Sequence, residues 1–531
     1  MESLTGSLEA YLGAVRNVVV SVDLRSAIAA LLVVPISSIL VWFTVAWLTS
    51  PLRQYPGPFF AAWTNLWRFF LIQTGENYQL TIKKLHQKYG PVLRIGPNLL
   101  DIDYPELIKT IYSTDGKWLK TEFYHNNSTI IDGKITYHMF STTDQVEHAR
   151  MKRPIAKYYS IGSVLALEPT MDVVVNDFCK QLEKRFMTGP SGPKECDLGE
   201  WIAYYTWDFL ASVTFSRPFG YLQKGHDFDR SIQTADKTLD YFMAVSQMPW
   251  LDYWLDKNPV VRVGPPNLVH VTRVAFESLV SRLQGKDANF DAKKPDYLQY
   301  FIESKETHPD LVNDTTVMGY IMINLIAGAD TTAITIRSVF YYCLRNPAVY
   351  RKLEAEVLAA GIDLEKPAPY GVSRQLPYLD AVIREALRLH PVTAATMERY
   401  VPEGGLVLPD GSVVPAGTAI GMNSYIVGKN KGVYGEDADE FRPERWLRVD
   451  GEDSEAHRLR LQRMNAADLS FGGGSRICLG RLLALCEVYK VVATLVRRYE
   501  IELVDPTKKW TIEGVWFARQ RGILANMKPR K

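Results

Sequence analysis

Near the C-terminal end stands FGGGSRICLG, Phe471 to Gly480. The chain has only five cysteines, and this stretch sets one of them, Cys478, in a loop of glycines beside an arginine. A structural cysteine prefers a packed apolar site. A loop thiol beside a cation has the setting of a metal ligand or a nucleophile. A nucleophile needs a nearby base, and no histidine lies close in sequence. A zinc site needs more thiolates or imidazoles than this loop offers. One thiolate alone suffices as the axial ligand of a haem, because the porphyrin supplies the other four bonds. The glycines would let the backbone wrap the sulfur. The start of a following helix would favour the anion, and Arg476 could pair with a haem propionate.

Two further stretches carry chemistry. IMINLIAGADTTAITIRSVF, Ile321 to Phe340, reads as a helix apolar on nearly every side and hence buried. Gly328 costs such a helix up to ~1 kcal/mol, and a buried Asp330 costs more unless partnered. A small residue there would leave room for a small ligand, with Thr331 hydrogen-bonding it and Asp330 relaying a proton. The alternative is a kinked helix whose threonines bond back to their own backbone. In REALRLHP, Arg384 to Pro391, Glu385 and Arg388 share one helix face. An ordinary solvated pair would look the same. However, FRPERW (Phe441 to Trp446) offers Arg445 as a second guanidinium, and one carboxylate between two arginines makes a structural clamp.

These groups need a large scaffold, and 531 residues with 47% hydrophobic content supply one. The formal net charge of +2 gives no reason to expect a nucleic-acid partner. Cys179, Cys196, Cys343, Cys478 and Cys486 form no disulfide framework, which places the body in a reducing compartment. The sequons at Asn126, Asn127 and Asn313 read as chance there. Ser26 to Ser50 is uncharged and long enough to cross a bilayer. It starts too far from Met1 for a signal peptide. The expected order is a lumenal tail 1–25, a transmembrane helix 26–50, a proline-rich connector 51–58 and one catalytic domain 59–531. The body reads as mostly α with minor β. Helices are expected at 75–90 and 142–160, through much of the chain to residue 390, and from about Leu479 to Tyr499.

The loop of Cys478, the AGADTT stretch, the Glu-Arg pair with its later arginine, and the order of all of them resemble the cytochrome P-450 haem-thiolate monooxygenases. The resemblance covers essentially the whole chain. It is similar to fungal microsomal, pisatin demethylase-like members that tailor secondary metabolites. It implies the cytochrome P-450 fold behind a single membrane helix. It also implies haem b as cofactor, with Cys478 as the proximal thiolate and metal ligand. Asp330 and Thr331 would supply protons during oxygen activation. Arg476, Arg399, His148 and Lys152 would hold the haem, although Lys152 stands where an arginine is usual. Phe471, Gly472, Gly480 and Ala327 would border the cofactor. Glu385, Arg388 and Arg445 would form the clamp.

By the same resemblance, substrate walls would come from Phe123 to Phe140, Met322 to Ala329, Val392 to Met397 and Gly514 to Phe517. Residues Tyr241 to Trp254 would be either ordinary core or a membrane-dipping entry. Electrons from NADPH would arrive indirectly, through a separate NADPH–cytochrome P-450 reductase, with cytochrome b5 a further candidate. Arg150, Lys157, Arg481 and Lys490 would guide its docking. The chain would lie on the endoplasmic reticulum membrane, N-terminus lumenal and catalytic domain cytosolic. Its reaction would be oxidation of an apolar small molecule, a terpenoid or polyketide. The alternative is a haem-thiolate isomerase or dehydratase that uses no dioxygen, against which the retained Asp330–Thr331 pair speaks.

Overall fold

A computed structural model describes residues 24–74, 77–131, 133–188 and 194–530. Most of the expected tail 1–25 lies outside them. Helix α1 (Leu24–Thr49) runs unbroken through Pro35. Its apolar side chains from Val33 to Leu48 are largely exposed. The connector after it is docked, not free: Leu52 and Tyr55 are buried. The Arg94 amide donates to Pro56 O at 2.7 Å, and its guanidinium reaches Ser50 Oγ at 3.0 Å. A Cβ on Gly57 would stand 2.1 Å from Arg94 O, so only glycine allows this approach.

Arg94 belongs to a small sheet of β1 (Val92–Gly96), β2 (Leu99–Ile102), β3 (Arg399–Tyr400) and β4 (Ala419–Gly421), in the order β1-β2-β4-β3. Helices make up most of the rest. The expected helix 142–160 is shorter, as α2 (Gln145–Lys152). Asp144 caps it by accepting from the Val146 and Glu147 amides, and Pro154 forbids its continuation. The expected helix 75–90 is observed as Tyr78–Tyr89.

The centre is α3 (Leu198–Phe215), α4 (Ser231–Val245) and the 32-residue α5 (Asp314–Arg345). α5 is long and apolar enough to cross a membrane, but more than half of its most apolar window is buried inside the body. Two more helices complete the frame of the site. α6 (Pro377–Leu389) carries the Glu-Arg pair, and α7 (Arg481–Arg498) follows the cysteine loop. A hairpin of β5 (Thr511–Glu513) and β6 (Arg519–Arg521) reaches back to the centre. Gln520 donates to Ile334 O at 3.0 Å and Ser338 Oγ at 2.8 Å, which seats β6 against α5.

Candidate active site

The cysteine loop is shaped by two glycines with positive φ, Gly472 (70°) and Gly474 (60°). At Gly474 a Cβ would also collide with Tyr112 O at 2.1 Å and Ser113 O at 2.4 Å. The loop therefore rests directly on the backbone of residues 112–113. The Cys478 amide donates to Phe471 O at 2.9 Å and closes the turn. Cys478 keeps accessible surface although protein surrounds it on most sides, so it lines an inner recess. Burial pushes its thiol pKa up. The Gly480 and Arg481 amides and the charges of Arg481 and Lys152 pull it down. Those donors favour an anionic sulfur. Gly480 itself has an ordinary φ, and a Cβ there would touch no protein atom within 4 Å, so the chain's own packing does not require glycine there.

Ala327 is exposed at the middle of α5, in a stretch from Tyr320 to Leu344 whose other residues are buried or half-buried. Tyr159, which feels the charge of Cys478, donates to Asn324 Oδ1 at 2.8 Å, one turn before Ala327. The thiol and the centre of α5 thus border the same recess. Gly328 does not open room for a ligand as the sequence led one to expect. A Cβ there would meet Leu210 of α3 at 2.8 Å, so its small size serves helix packing. Thr331 Oγ1 donates to Ala327 O at 2.8 Å and Thr332 Oγ1 to Gly328 O at 2.9 Å. Both threonines bond back to their own helix, and α5 continues unbroken past them.

Asp330 points away from solvent. Its Oδ1 accepts from Trp207 Nε1 of α3 at 2.8 Å. Its Oδ2 is buried without a partner. Burial, with the nearby Asp236 charge, raises its pKa to about 6 against the pull of Trp207, Arg519 and Arg337. Such a carboxyl exchanges a proton near neutral pH.

Five basic side chains gather around the recess. Arg476 donates through Nη1 to Thr142 O at 3.0 Å and through Nη2 to Asp144 O at 3.1 Å, while its Nε is buried without a partner. Arg399 lies over the Tyr112 ring and donates from Nη1 to Glu398 O. Lys152 reaches Ser475 O at 3.2 Å. His148 is buried, and burial with the charges of Arg476, Lys152 and Lys120 drives its pKa to about 3. The fifth, Lys120, went unread in the sequence. It is buried, its Nζ donates to Phe140 O at 2.6 Å, and burial, Arg399 and Arg476 hold it well below its usual pKa. Only its position just before the Phe123–Phe140 wall could have marked it.

Among the described residues, none of the five has a carboxylate salt-bridge partner. Keeping a buried basic group charged without a counter-ion is costly. A cofactor that carries two carboxylates and takes one thiolate ligand would offset that cost, and haem b is such a group. The residues present therefore fit the cofactor.

The clamp is complete. Glu385 is fully buried and accepts from Arg388 Nη2 at 2.7 Å and Nε at 2.9 Å. It also accepts from Arg445 Nε at 2.8 Å and from Trp446 Nε1 at 2.9 Å. The tryptophan stands in FRPERW, but its role was not read there. The aromatic walls meet as well. Phe123, Tyr124, Phe140, Phe242 and Trp516 form one cluster, with Phe242 and Trp516 centroids 5.4 Å apart. The stretch Tyr241 to Trp254 is divided: Phe242 and Met243 are core, whereas Trp250, Tyr253 and Trp254 are exposed. Lys490 is no docking residue, since it is buried against Glu168 (2.6 Å) and Asp172 (2.7 Å). Arg150, Lys157 and Arg481 are exposed. Asn126 is buried and Asn313 caps α5, so both have structural uses.

A thiol recess walled by aromatic residues, ringed by basic groups and crossed by a long helix is the architecture of a haem-thiolate oxidase. The family profile for cytochrome P-450 matches residues 56–528, and the chain belongs to that family. It is 44% identical over 494 residues to the cytochrome P-450 monooxygenase cfoH of Aspergillus candidus, covering 93% of this chain and 91% of that one. A cytochrome P-450 monooxygenase of Aspergillus terreus is 36% identical (86% and 92% covered). The monooxygenase cicH of Emericella nidulans is 35% identical (90% and 94%). The chain is thus an oxidoreductase of the monooxygenase class, with haem b as its cofactor.

Proposed function

We propose that this chain is a membrane-anchored monooxygenase that oxidises an apolar secondary metabolite, a terpenoid or polyketide. Electrons come from NADPH through a separate membrane-bound reductase. When bound, the haem supplies activation of dioxygen. The chain's residues do the rest. Cys478 is the thiolate ligand, and the Gly480 and Arg481 amides steady its charge. Arg399, Arg476, Lys120, Lys152 and His148 hold the carboxylate edge. Asp330 holds a proton at Oδ2, and Thr331, whose hydroxyl hydrogen is engaged by Ala327 O, keeps its oxygen free to accept one hydrogen bond. The Phe123–Phe242–Trp516 cluster excludes water and orients an apolar substrate by ring packing. The retained Asp330 and Thr331 favour oxygen chemistry over dioxygen-free isomerisation or dehydration.

The observation that carries this reading is the amide-ringed Cys478 thiol beside five uncompensated basic groups. The exposed apolar length of α1 supports a bilayer anchor over residues 26–50. Exposed Phe59, Phe60, Phe70, Trp250 and Trp254 offer further apolar surface for the same bilayer. Exposed Arg150, Lys157 and Arg481 give a basic face for the reductase. The test is a carbon monoxide difference spectrum of the reduced protein beside Cys478→Ser. A strongly red-shifted Soret band lost in the variant is expected. An unshifted band in the parent protein overturns the thiolate assignment.

A further inference from the structure

The stretch Val392–Met397 is pinned by several elements. The Ala518 amide donates to Val392 O at 3.0 Å, and Asn423 Nδ2 to Ala394 O at 2.8 Å. Met397 donates to Met422 O at 3.1 Å and accepts from the Tyr112 hydroxyl at 2.9 Å. Those bonds join neutral groups. One more bond differs: the Thr396 hydroxyl donates to Asp101 Oδ2 of β2. Both residues are buried. Thr396 therefore faces the sheet, while its neighbours Ala394 and Ala395 pack in the same core as Phe123, Phe242 and Trp516.

Behind Asp101 stands His86, buried on the helix Tyr78–Tyr89. Its Nε2 lies 3.0 Å from Asp101 Oδ1, and its Nδ1 lies 3.0 Å from Gly90 O. A carbonyl and an ionised carboxylate only accept, so both ring nitrogens carry hydrogen and the ring is an imidazolium. Burial pulls the His86 pKa down, but the bond and charge of Asp101, the Gly90 bond and the charge of Asp103 leave it raised above the usual 6.5. Other charged groups surround the ring. Past the end of β2, Asp103 is pushed up to about 6 by burial, against the pull of Asn430 and His86. From β1, Arg94 turns away to Ser50 and Ala62. Beyond the turn Ser424–Val427, Lys429 is held on Leu389 O at 2.7 Å. On the helix of His86 itself, Lys83 pairs with Asp439, Lys84 and Lys88 are exposed, and Tyr78 borders Thr396.

We propose that His86 and Asp101 are positioning residues for the substrate wall: their ion pair orients Thr396 and so sets the face that Ala394 and Ala395 present to a bulky apolar substrate. While His86 is charged, it engages Asp101 Oδ1 and leaves Oδ2 to Thr396. When His86 loses its proton, Nδ1 keeps its hydrogen for Gly90 O, and Nε2 turns a lone pair on the carboxylate. Two electron pairs then face each other at hydrogen-bond distance. Asp101 shifts to relieve this, and Thr396 loses its fixed acceptor. A raised histidine pKa means that the pair is intact below its midpoint and lost as pH rises through it. The wall therefore loosens on the alkaline side. The proposal rests on the reading of residues 392–397 as a substrate wall.

The test uses the haem-loaded protein and two neutral probes, methyl isocyanide and naphthyl isocyanide, with binding read from the Soret band. The small probe reports the iron site, and the bulky one also reports the wall. In the parent their affinity ratio is expected to shift severalfold toward the small probe between about pH 6 and about pH 9. His86→Gln and Asp101→Asn should hold the ratio at its alkaline level throughout. Thr396→Val should flatten the profile as well, whereas Thr396→Ser should keep it. Nitrogen NMR spectra of isotope-labelled histidines, with His86→Gln to assign the signal, follow the ring itself, and Thr396→Val should leave that titration in place. A flat ratio in the parent overturns the proposal, as does a parent-like profile in Thr396→Val. So does a His86 ring that is already neutral on the acid side. If His86→Gln does not fold, the parent and the two Thr396 variants decide by the same ratio. Ala395→Phe should weaken the bulky probe alone. An unchanged affinity there would overturn the wall reading, and the proposal with it, whereas a flat profile beside a weakened Ala395→Phe overturns the proposal alone.

Discussion

Trp207 Nε1 donates to Asp330 Oδ1 at 2.8 Å, from one buried helix to another, and leaves the second oxygen of that carboxylate bare. The bond favours the ionised form, while burial and Asp236 oppose it, and the balance is a pKa of about 6. A carboxyl raised in the fold is bound to its proton more tightly there than in the unfolded chain. Stability is therefore highest below its unfolded value of 3.8 and falls as pH rises from about 4 to 6. Asp330→Asn is expected to gain stability relative to the parent at pH 7.5, on the order of 2 kcal/mol, and to gain none at pH 4. Thermal melts at the two pH values measure this. Trp207→Phe should move the carboxyl midpoint upward, read from the pH profile of NADPH oxidation.

Lys120 is buried and, among the described residues, meets no anionic side chain. Lys120→Met should stabilise the haem-free protein and speed haem loss from the loaded one. The two effects have opposite signs, which general damage would not produce. Haem transfer to a scavenging apoprotein and melts of the haem-free form check them.

Breaking a buried ion pair from one side costs about 3–5 kcal/mol, because the other charge is stranded. Arg445→Ala leaves Glu385 with fewer donors and should abolish haem-loaded protein. Trp446→Phe removes one neutral donor and should cost only about 1–2 kcal/mol. Haem content per folded protein, together with denaturant midpoints, separates the two.

Gly328→Ala places a Cβ against Leu210. Overpacking of this kind costs about 1–3 kcal/mol, while the helix gains up to ~1 kcal/mol from alanine. Leu210→Ala alone should cost about 2–5 kcal/mol. The double variant should be more stable than Leu210→Ala alone, since the new methyl fills part of the space. Additive losses in a double-mutant cycle would mean the two do not touch.

The chemistry was readable where one residue type admits few uses. A lone thiol among glycines needs only local sequence, whereas the Glu385–Arg388 pair and the acid–threonine turn each had a plain structural alternative until Arg445 and the order of the motifs were set beside them. Lys120 was not readable, because a lysine looks solvated until tertiary packing buries it beneath Phe140. Gly328 misled because a missing side chain looks the same whether a ligand or Leu210 takes the space. Lys490 misled in the opposite way: its charge suggested surface, but Glu168 and Asp172 draw it inside. The helix expected over 142–160 ends at Lys152 because the ring of Pro154 cannot continue it.

Gly474 is pressed on the carbonyls of Tyr112 and Ser113, and Arg476 hydrogen-bonds Met139 O across 337 positions of chain. The recess is therefore closed by two segments that leave the ribosome far apart in time. Contacts of such separation carry a large loop-closure cost and form late. Cofactor capture must come after almost the whole chain has been made, while Arg399 and Arg476 still lack a counter-charge. In a haem-starved cell the protein would wait with those two guanidiniums uncompensated, open to proteolysis, and its abundance would follow haem supply as much as its own synthesis.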